Sequence, residues 1–252
     1  MEKQIPKIIH YCWFGGAPLP ELAQKCIASW KKFLPNYEIK EWNESNFDVN
    51  QIPYTKQAYK SRKYAFVSDY ARFKIMYEYG GIYFDTDVEV IKPLDNLIAK
   101  GAFFGMEQTK EELFCAPGLG FACNPGLTLC KEMIDYYKDH DFILPNKQYD
   151  LTTVVRIFSK LLNKRNFIPA SNLQKFQGIF FYPPEYFCPI NYYTGKKNFT
   201  SNTHTVHHYA ASWVDKNDNL TLLAKIWKFF RLPNTDFRKI IIKLTQKKTK
   251  MM

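Results

Sequence analysis

No apolar run in the 252-residue chain approaches the roughly 20 residues that span a bilayer, so no membrane-crossing helix is expected. The six cysteines (Cys12, Cys26, Cys115, Cys123, Cys130 and Cys188) contain no C-x-x-C pair. That excludes the usual zinc modules and dithiol redox motifs, and Cys123 and Cys130 read as small buried hydrophobes. A G-x-G-x-x-G run is also missing, which counts against a dinucleotide-binding fold. The N-terminus enters a strand almost at once and leaves no room for a secretory signal, so the thiols are expected to be reduced, in the cytoplasm.

Acid is scarce in one region only. From Thr221 onward there are nine basic residues and a single acid, Asp236, so this tail carries 9 − 1 = +8 of the net +11 and residues 1–220 carry +3. What the chain does have is apolar and aromatic mass, 46% and 17% of its residues, enough for one large α/β domain and against wholesale disorder.

The most informative stretch runs from Tyr64 to Leu94. Phe66, Tyr70, Phe73 and Tyr77 recur at helical spacing, with Ser68 expected as N-cap and Asp69 in the first turn. Gly80-Gly81 ends the helix. Ile82-Tyr83-Phe84 then reads as a short strand delivering Asp85, Thr86 and Asp87 at its C-terminal end, where ligands collect in open α/β sheets. Alternation places Asp85, Asp87 and Glu89 on one side, with Val88–Val90 continuing the strand. Three crowded carboxylates call for a hard divalent ion, Mn²⁺ or Mg²⁺, with phosphate oxygens completing its shell. Asp69 and Arg72 share a helical face, and Arg72 has the fork suited to a diphosphate.

The run S-D-x-x-R followed by G-G-I-Y-x-D-T-D resembles the family of glycosyltransferase sugar-binding regions that contain a DXD motif. The opening I-P-K-I-I-H-x-x-W resembles it too, as does the late H-H-x-x-x-S-W at His207-His208 and Ser212-Trp213. The resemblance implies an α/β domain of GT-A type over residues 1–220, a Rossmann-like, mostly parallel sheet flanked by helices. Residues 1–100 would form the nucleotide half and 101–220 the half that meets donor sugar and acceptor. It implies a hexose transferred from a nucleotide diphosphate sugar, UDP-linked, with retention, onto a saccharide or glycolipid in polysaccharide or capsule synthesis. By the same resemblance Trp13 lies near the base, Asp69 holds ribose or sugar hydroxyls, and Asp87 ligates the metal. Asp85 contacts ribose, sugar or ion. Arg72 stabilises the departing diphosphate, and Ser212 and Trp213 close over it. A late imidazole completes the metal site; His208 is favoured over His207, since a strand would turn one of them away.

The remaining chain supplies further elements. Strands are predicted at 5–12, 37–42 and 102–107, the last ending at Glu107, and helices at 22–33 and 127–137. Another helix is predicted to open at Asp150, as a cap or sugar contact. His10 reads as a core histidine, Trp42-Asn43 as a minor site candidate, and Asn124 as sugar contact or turn. The aromatics between Phe176 and Tyr193 serve as sugar platforms or core. The basic tail, 221–252, reads as an amphipathic helix lying on the anionic inner face of the plasma membrane or covering the body. Two rivals remain. YFDTDVEV also fits a haloacid-dehalogenase-type phosphatase with Asp85 as nucleophile, but no G-D-x-x-x-D follows. A non-enzymatic nucleic-acid or membrane binder would use the basic tail, yet no nucleic-acid module is recognisable and none is expected to bind.

Overall fold

A computed structural model describes residues 4–109 and 112–210, all within one compact unit. Ser212, Trp213 and the basic tail lie outside the described residues. In chain order the elements are β1 (Ile8–Cys12), α1 (Glu21–Phe33), β2 (Glu38–Trp42), α2 (Pro53–Lys60), α3 (Tyr64–Tyr79), β3 (Gly81–Tyr83), β4 (Val88–Val90) and α4 (Asp95–Ile98). There follow β5 (Phe103–Gln108), β6 (Leu113–Cys115), β7 (Phe121–Cys123), α5 (Thr128–Lys138), α6 (Val154–Lys164), β8 (Gln174–Phe176), β9 (Ile179–Tyr182), α7 (Pro184–Phe187) and β10 (Thr205–His207).

Eight strands form one mixed sheet in the order β2-β1-β3-β7-β5-β9-β8, with β6 on β5. Strands β1, β2, β3, β5 and β9 point one way, and β6, β7 and β8 oppose them. The expected α/β, mostly parallel sheet flanked by helices is therefore borne out.

Two aromatic-rich cores cover the two faces of this sheet, and the strands alternate between them. Cys12, Tyr83, Phe104, Phe121 and Phe181 enter one core; Tyr11, Ile82, Phe103, Ala122 and Tyr182 enter the other. Such a period of two is what a strand buried on both faces requires. On the first face Phe104 stacks on Phe121 at 4.7 Å and 8°, and Phe73 of α3 joins Phe121 at 5.8 Å. Each fully buried phenylalanine stabilises the fold by about 1.5–3 kcal/mol in transfer free energy, so this cluster fixes α3 against the sheet.

Helix α3 begins at Tyr64, not at Ser68. Ser68 thus sits a turn inside, its hydroxyl donating back to Tyr64 O at 3.3 Å, and Asp69 is not in the first turn. The reason is burial: α3 is covered on most of its circumference, so tertiary packing extends it past a good local cap. Its end is fixed as the glycine pair suggests. Gly80 and Gly81 have φ of 63° and 97°, and a Cβ on Gly81 would meet Ile8 O at 2.5 Å. Asp150 does not open α6 either. Its carboxylate accepts the Thr152 N–H at 2.9 Å in a turn, and the helix starts at Val154.

The strand after the D-x-D is not a continuation of β3. Residues 84–87 bend, Val88 N–H donating to Asp85 O at 3.1 Å, and β4 leaves the main sheet to pair antiparallel with β10. Helix α1 holds it there: the Trp30 indole donates to Val88 O at 2.7 Å, and Val90 N–H donates to the Ser29 hydroxyl at 2.9 Å.

Candidate active site at the C-terminal edge of the sheet

Parallel β1 and β3 end next to one another, and Trp13 and Asp85 follow their C-terminal ends within two residues. Beneath them His10 is wholly buried. Its Nε2 lies 3.0 Å from Gly80 O, and its Nδ1 accepts from the Trp42 indole at 3.0 Å. Burial brings the imidazole down to about 4, so it is neutral and joins strand, helix end and β2. His10 is the core histidine expected, and Trp42 serves it. Asn43 closes a local turn through Ser45 and Glu41. Trp13 is half-buried, its indole donating to Ala17 O at 2.6 Å.

Arg72 is the charge centre of the helix side. Its Nη2 donates to Asp69 Oδ1 at 2.7 Å and its Nη1 lies 3.3 Å from Asp85, while Nε donates to Ser68 O at 3.2 Å. The fork expected to face a diphosphate faces two carboxylates instead. A guanidinium this buried needs counter-charge from the protein itself. Burial and then the Asp85 charge push the Asp69 carboxyl up to about 7 despite Arg72. Asp85 also accepts from the Tyr83 hydroxyl at 3.1 Å and keeps its side chain 32% exposed, so it alone of this trio reaches solvent. Gly118 lies against it: a Cβ there would come within 1.9 Å of Asp85 Oδ2.

Asp87 faces elsewhere. The bend at 84–87 breaks the alternation that would have put Asp85, Asp87 and Glu89 on one side, and each takes its own partner. Asp87 Oδ1 lies 3.3 Å from His207 Nε2, and its Oδ2 accepts the Ala210 N–H at 2.8 Å. Glu89 Oε2 lies 2.7 Å from His208 Nε2. The two imidazoles, at and just past the end of β10, thus go to two carboxylates, and His207, the second choice, meets Asp87. Burial alone would raise the Asp87 carboxyl; the charge and hydrogen bond of His207 with the Ala210 N–H outweigh it and hold it at about 2. Burial opposes a charged His207, and Asp87 overrides that, so the imidazole lies well above its ordinary value.

Asp87 and His207 fit a divalent cation as a partial donor set. A carboxylate oxygen and an imidazole nitrogen 3.3 Å apart can share one ion, and a metal of this class needs only one or two protein ligands beside phosphate and water. No group of three metal-ligating side chains forms among the described residues.

Four residues of this region went unmarked as site residues in the sequence: Glu107, Gly118, Cys188 and Tyr209. Tyr209 packs its ring 4.1 Å from that of His207 and its hydroxyl 2.8 Å from Cys188 Sγ. Glu107 lies one residue from the end of β5, which runs the same way as β3; that shared polarity was the available signal.

Residues 20–104 match the glycosyltransferase sugar-binding region containing the DXD motif, a span that holds Asp69, Arg72, Asp85 and Asp87. The resemblance carried by those residues is borne out. The chain is 34% identical over 101 residues to inositol phosphoceramide mannosyltransferase 3 of Schizosaccharomyces pombe, covering 37% of this chain and 27% of that protein. It is 29% identical over 144 residues to human lactosylceramide 4-alpha-galactosyltransferase, covering 53% of this chain and 35% of that one. The match therefore spans about a quarter to a third of these relatives. Among solved structures, the PaToxG glycosyltransferase superposes with a TM-score of 0.46 at 20% identity, covering 64% of this chain and 70% of its own.

Proposed function

We propose that this chain is a glycosyltransferase that moves a hexose from a UDP-sugar, with retention and with Mn²⁺ or Mg²⁺, onto a saccharide or lipid-linked saccharide in polysaccharide synthesis. One observation carries the reading: the second Asp of the D-x-D and a late imidazole meet at 3.3 Å, two residues after the first Asp and just beyond the C-terminal end of β3.

Asp87 and His207 would hold the ion, which when bound supplies Lewis-acid stabilisation to the departing diphosphate. Asp85, exposed and fixed by Arg72 and Tyr83, accepts hydrogen bonds from ribose or sugar hydroxyls. Arg72 works through Asp85, holding the carboxylate in one orientation and balancing its charge. Asp69, buried beneath, keeps the guanidinium in place. Trp13, at the neighbouring strand end, offers an indole face to the base. Ser212 and Trp213, outside the described residues, would close over the diphosphate.

Support for a lipid-linked acceptor at an anionic membrane surface is compositional, the +8 tail with its interleaved Trp and Phe. No helix among the described residues is long and apolar enough to cross a membrane. Flotation with anionic liposomes, with and without residues 221–252, tests attachment; equal recovery of both forms rejects it. The central test is release of UDP from a panel of UDP-hexoses with and without Mn²⁺. Metal-dependent release lost in Asp87→Ala is expected, and full turnover in that variant removes the assignment.

A further inference from the structure

We propose that Glu107, Tyr192 and Tyr193 form a subsite for a neutral acceptor saccharide. The inference rests on the transferase reading and names where its second substrate lies. Strand β5 runs parallel to β9 and in the same direction as β3, so Glu107, one residue from its end, stands at the sheet edge that carries Asp85. Its carboxylate makes no hydrogen bond or ion pair among the described residues, and the residue is partly buried, within reach of the charges of His207 and Asp85. A carboxylate with no protein donor is free to accept from a ligand hydroxyl, and its charge strengthens that bond.

The loop that follows α7 brings aromatic surface to the same place. Asn191 ties it to the end of β5, its amide donating to Gln108 O at 2.9 Å and Thr109 O at 3.2 Å. The Asn191 Oδ1 accepts the N–H groups of Tyr193 and Thr194, both at 3.0 Å, which fixes the turn. Tyr193 thereby comes within electrostatic reach of Glu107 and of the exposed Arg156. Tyr192 packs 4.9 Å from Tyr209, and Tyr209 packs against His207, so a continuous row of rings leads outward from Asp87.

Tyr192 and Tyr193 end that row exposed, at 37% and 45%, with their rings 5.4 Å apart and 88° to one another. A pyranose has apolar C–H faces that lie on aromatic rings and a rim of hydroxyls that needs acceptors and donors. Here the rings are the tyrosines, the acceptor is Glu107 and the donor is Arg156. Glu107 and Arg156 bring one charge of each sign to the rings, so the subsite has no net charge and suits a neutral sugar. The row starts at the Asp87–His207 pair, where the diphosphate would be held, and a retaining transfer presents the attacking hydroxyl on that same face of the sugar.

Saturation-transfer NMR on the full chain with lactose, maltose and methyl glucosides and galactosides, in the presence of Mn²⁺ and UDP, tests the subsite. Transfer to ring protons of at least one of these sugars is expected, with affinity falling about tenfold or more in Glu107→Gln and in Tyr193→Ala, and largely kept in Tyr193→Phe. Near-UV circular dichroism identifies variants that fold. No transfer from the wild type to any of these sugars, or transfer that persists undiminished in the folded Glu107→Gln and Tyr193→Ala proteins, overturns the subsite. Calorimetry of UDP with the wild-type protein is read separately. Its failure would remove the transferase reading, whereas UDP binding with no saccharide bound would remove the subsite alone.

Discussion

Nε2 of His207 lies 3.3 Å from Oδ1 of Asp87, a contact between the end of β10 and the residue just before β4, two strands paired outside the main sheet. The segment 207–210 grips Asp87 at three points. Besides the imidazole, His208 N–H donates to Asp87 O at 2.9 Å and Ala210 N–H donates to Asp87 Oδ2 at 2.8 Å. A late segment of the chain thus completes a site whose other half lies in the central helix and strand. Its orientation is fixed by backbone hydrogen bonds, which a side-chain substitution leaves standing.

That arrangement separates the two histidines by function. His207→Ala is expected to lower kcat/KM for metal-dependent UDP release about a hundredfold or more, as loss of a group that fixes transition-state charge does. His208→Ala, which removes only a partner of Glu89, should cost less than about tenfold. A steady-state comparison of the two variants checks this, and a larger loss for His208→Ala would exchange their roles.

Arg72 balances two carboxylates in a buried site. Arg72→Met leaves Asp69 and Asp85 without their cation, and unfolding in urea should show a loss of about 3–5 kcal/mol. Adding Asp69→Asn should recover part of that loss, because one of the stranded charges is gone. A double variant no more stable than Arg72→Met would mean that Asp69 is neutral already.

Much of this was legible in the chain itself. The stripe on α3, the glycine stop and the apolar run Ile82–Phe84 fixed helix, turn and strand, because burial on both faces leaves a clear periodic pattern. The start of α3 was not legible: Ser68 is a good local cap, and only packing against α5 and the sheet tells the helix to begin at Tyr64. The side each carboxylate faces was hidden for a related reason. Alternation holds only inside a strand, and the bend at 84–87 depends on hydrogen bonds to distant partners such as Gly118. The pairing of β10 with β4, which selects His207, joins segments more than a hundred residues apart and leaves no local mark.

Gly118 offers a test of how tightly Asp85 must be held. A methyl group there would lie 1.9 Å from Asp85 Oδ2 and 3.1 Å from Arg72 Nη1, so the carboxylate has to swing away. Gly118→Ala should cost about 1–3 kcal/mol, as overpacking does, and lower UDP release at least about tenfold. In Gly118→Ala/Asp85→Ala the clash is relieved, and stability should return to that of Asp85→Ala alone. A single variant with wild-type activity would show that Asp85 has freedom the geometry denies it.

His10 sets the acid limit of the fold. Its folded pKa is about 4 and its unfolded one 6.5, so between these values the unfolded chain binds more protons. Its contribution is complete above pH ~6.5 and disappears as the pH falls towards ~4, an effect of order 3 kcal/mol. Asp69 acts in the opposite sense. With a folded pKa raised to about 7, its contribution is complete below its unfolded value of 3.8 and is lost as pH rises through 7. The two windows overlap, and a bare stability profile would mix them. Subtracting the urea-unfolding profile of His10→Gln from that of the wild type isolates the first. The difference should grow with pH between ~4 and ~6.5 and then level off. A flat difference would mean that the buried imidazole is protonated in the folded protein, donating from both nitrogens and unable to accept the Trp42 N–H.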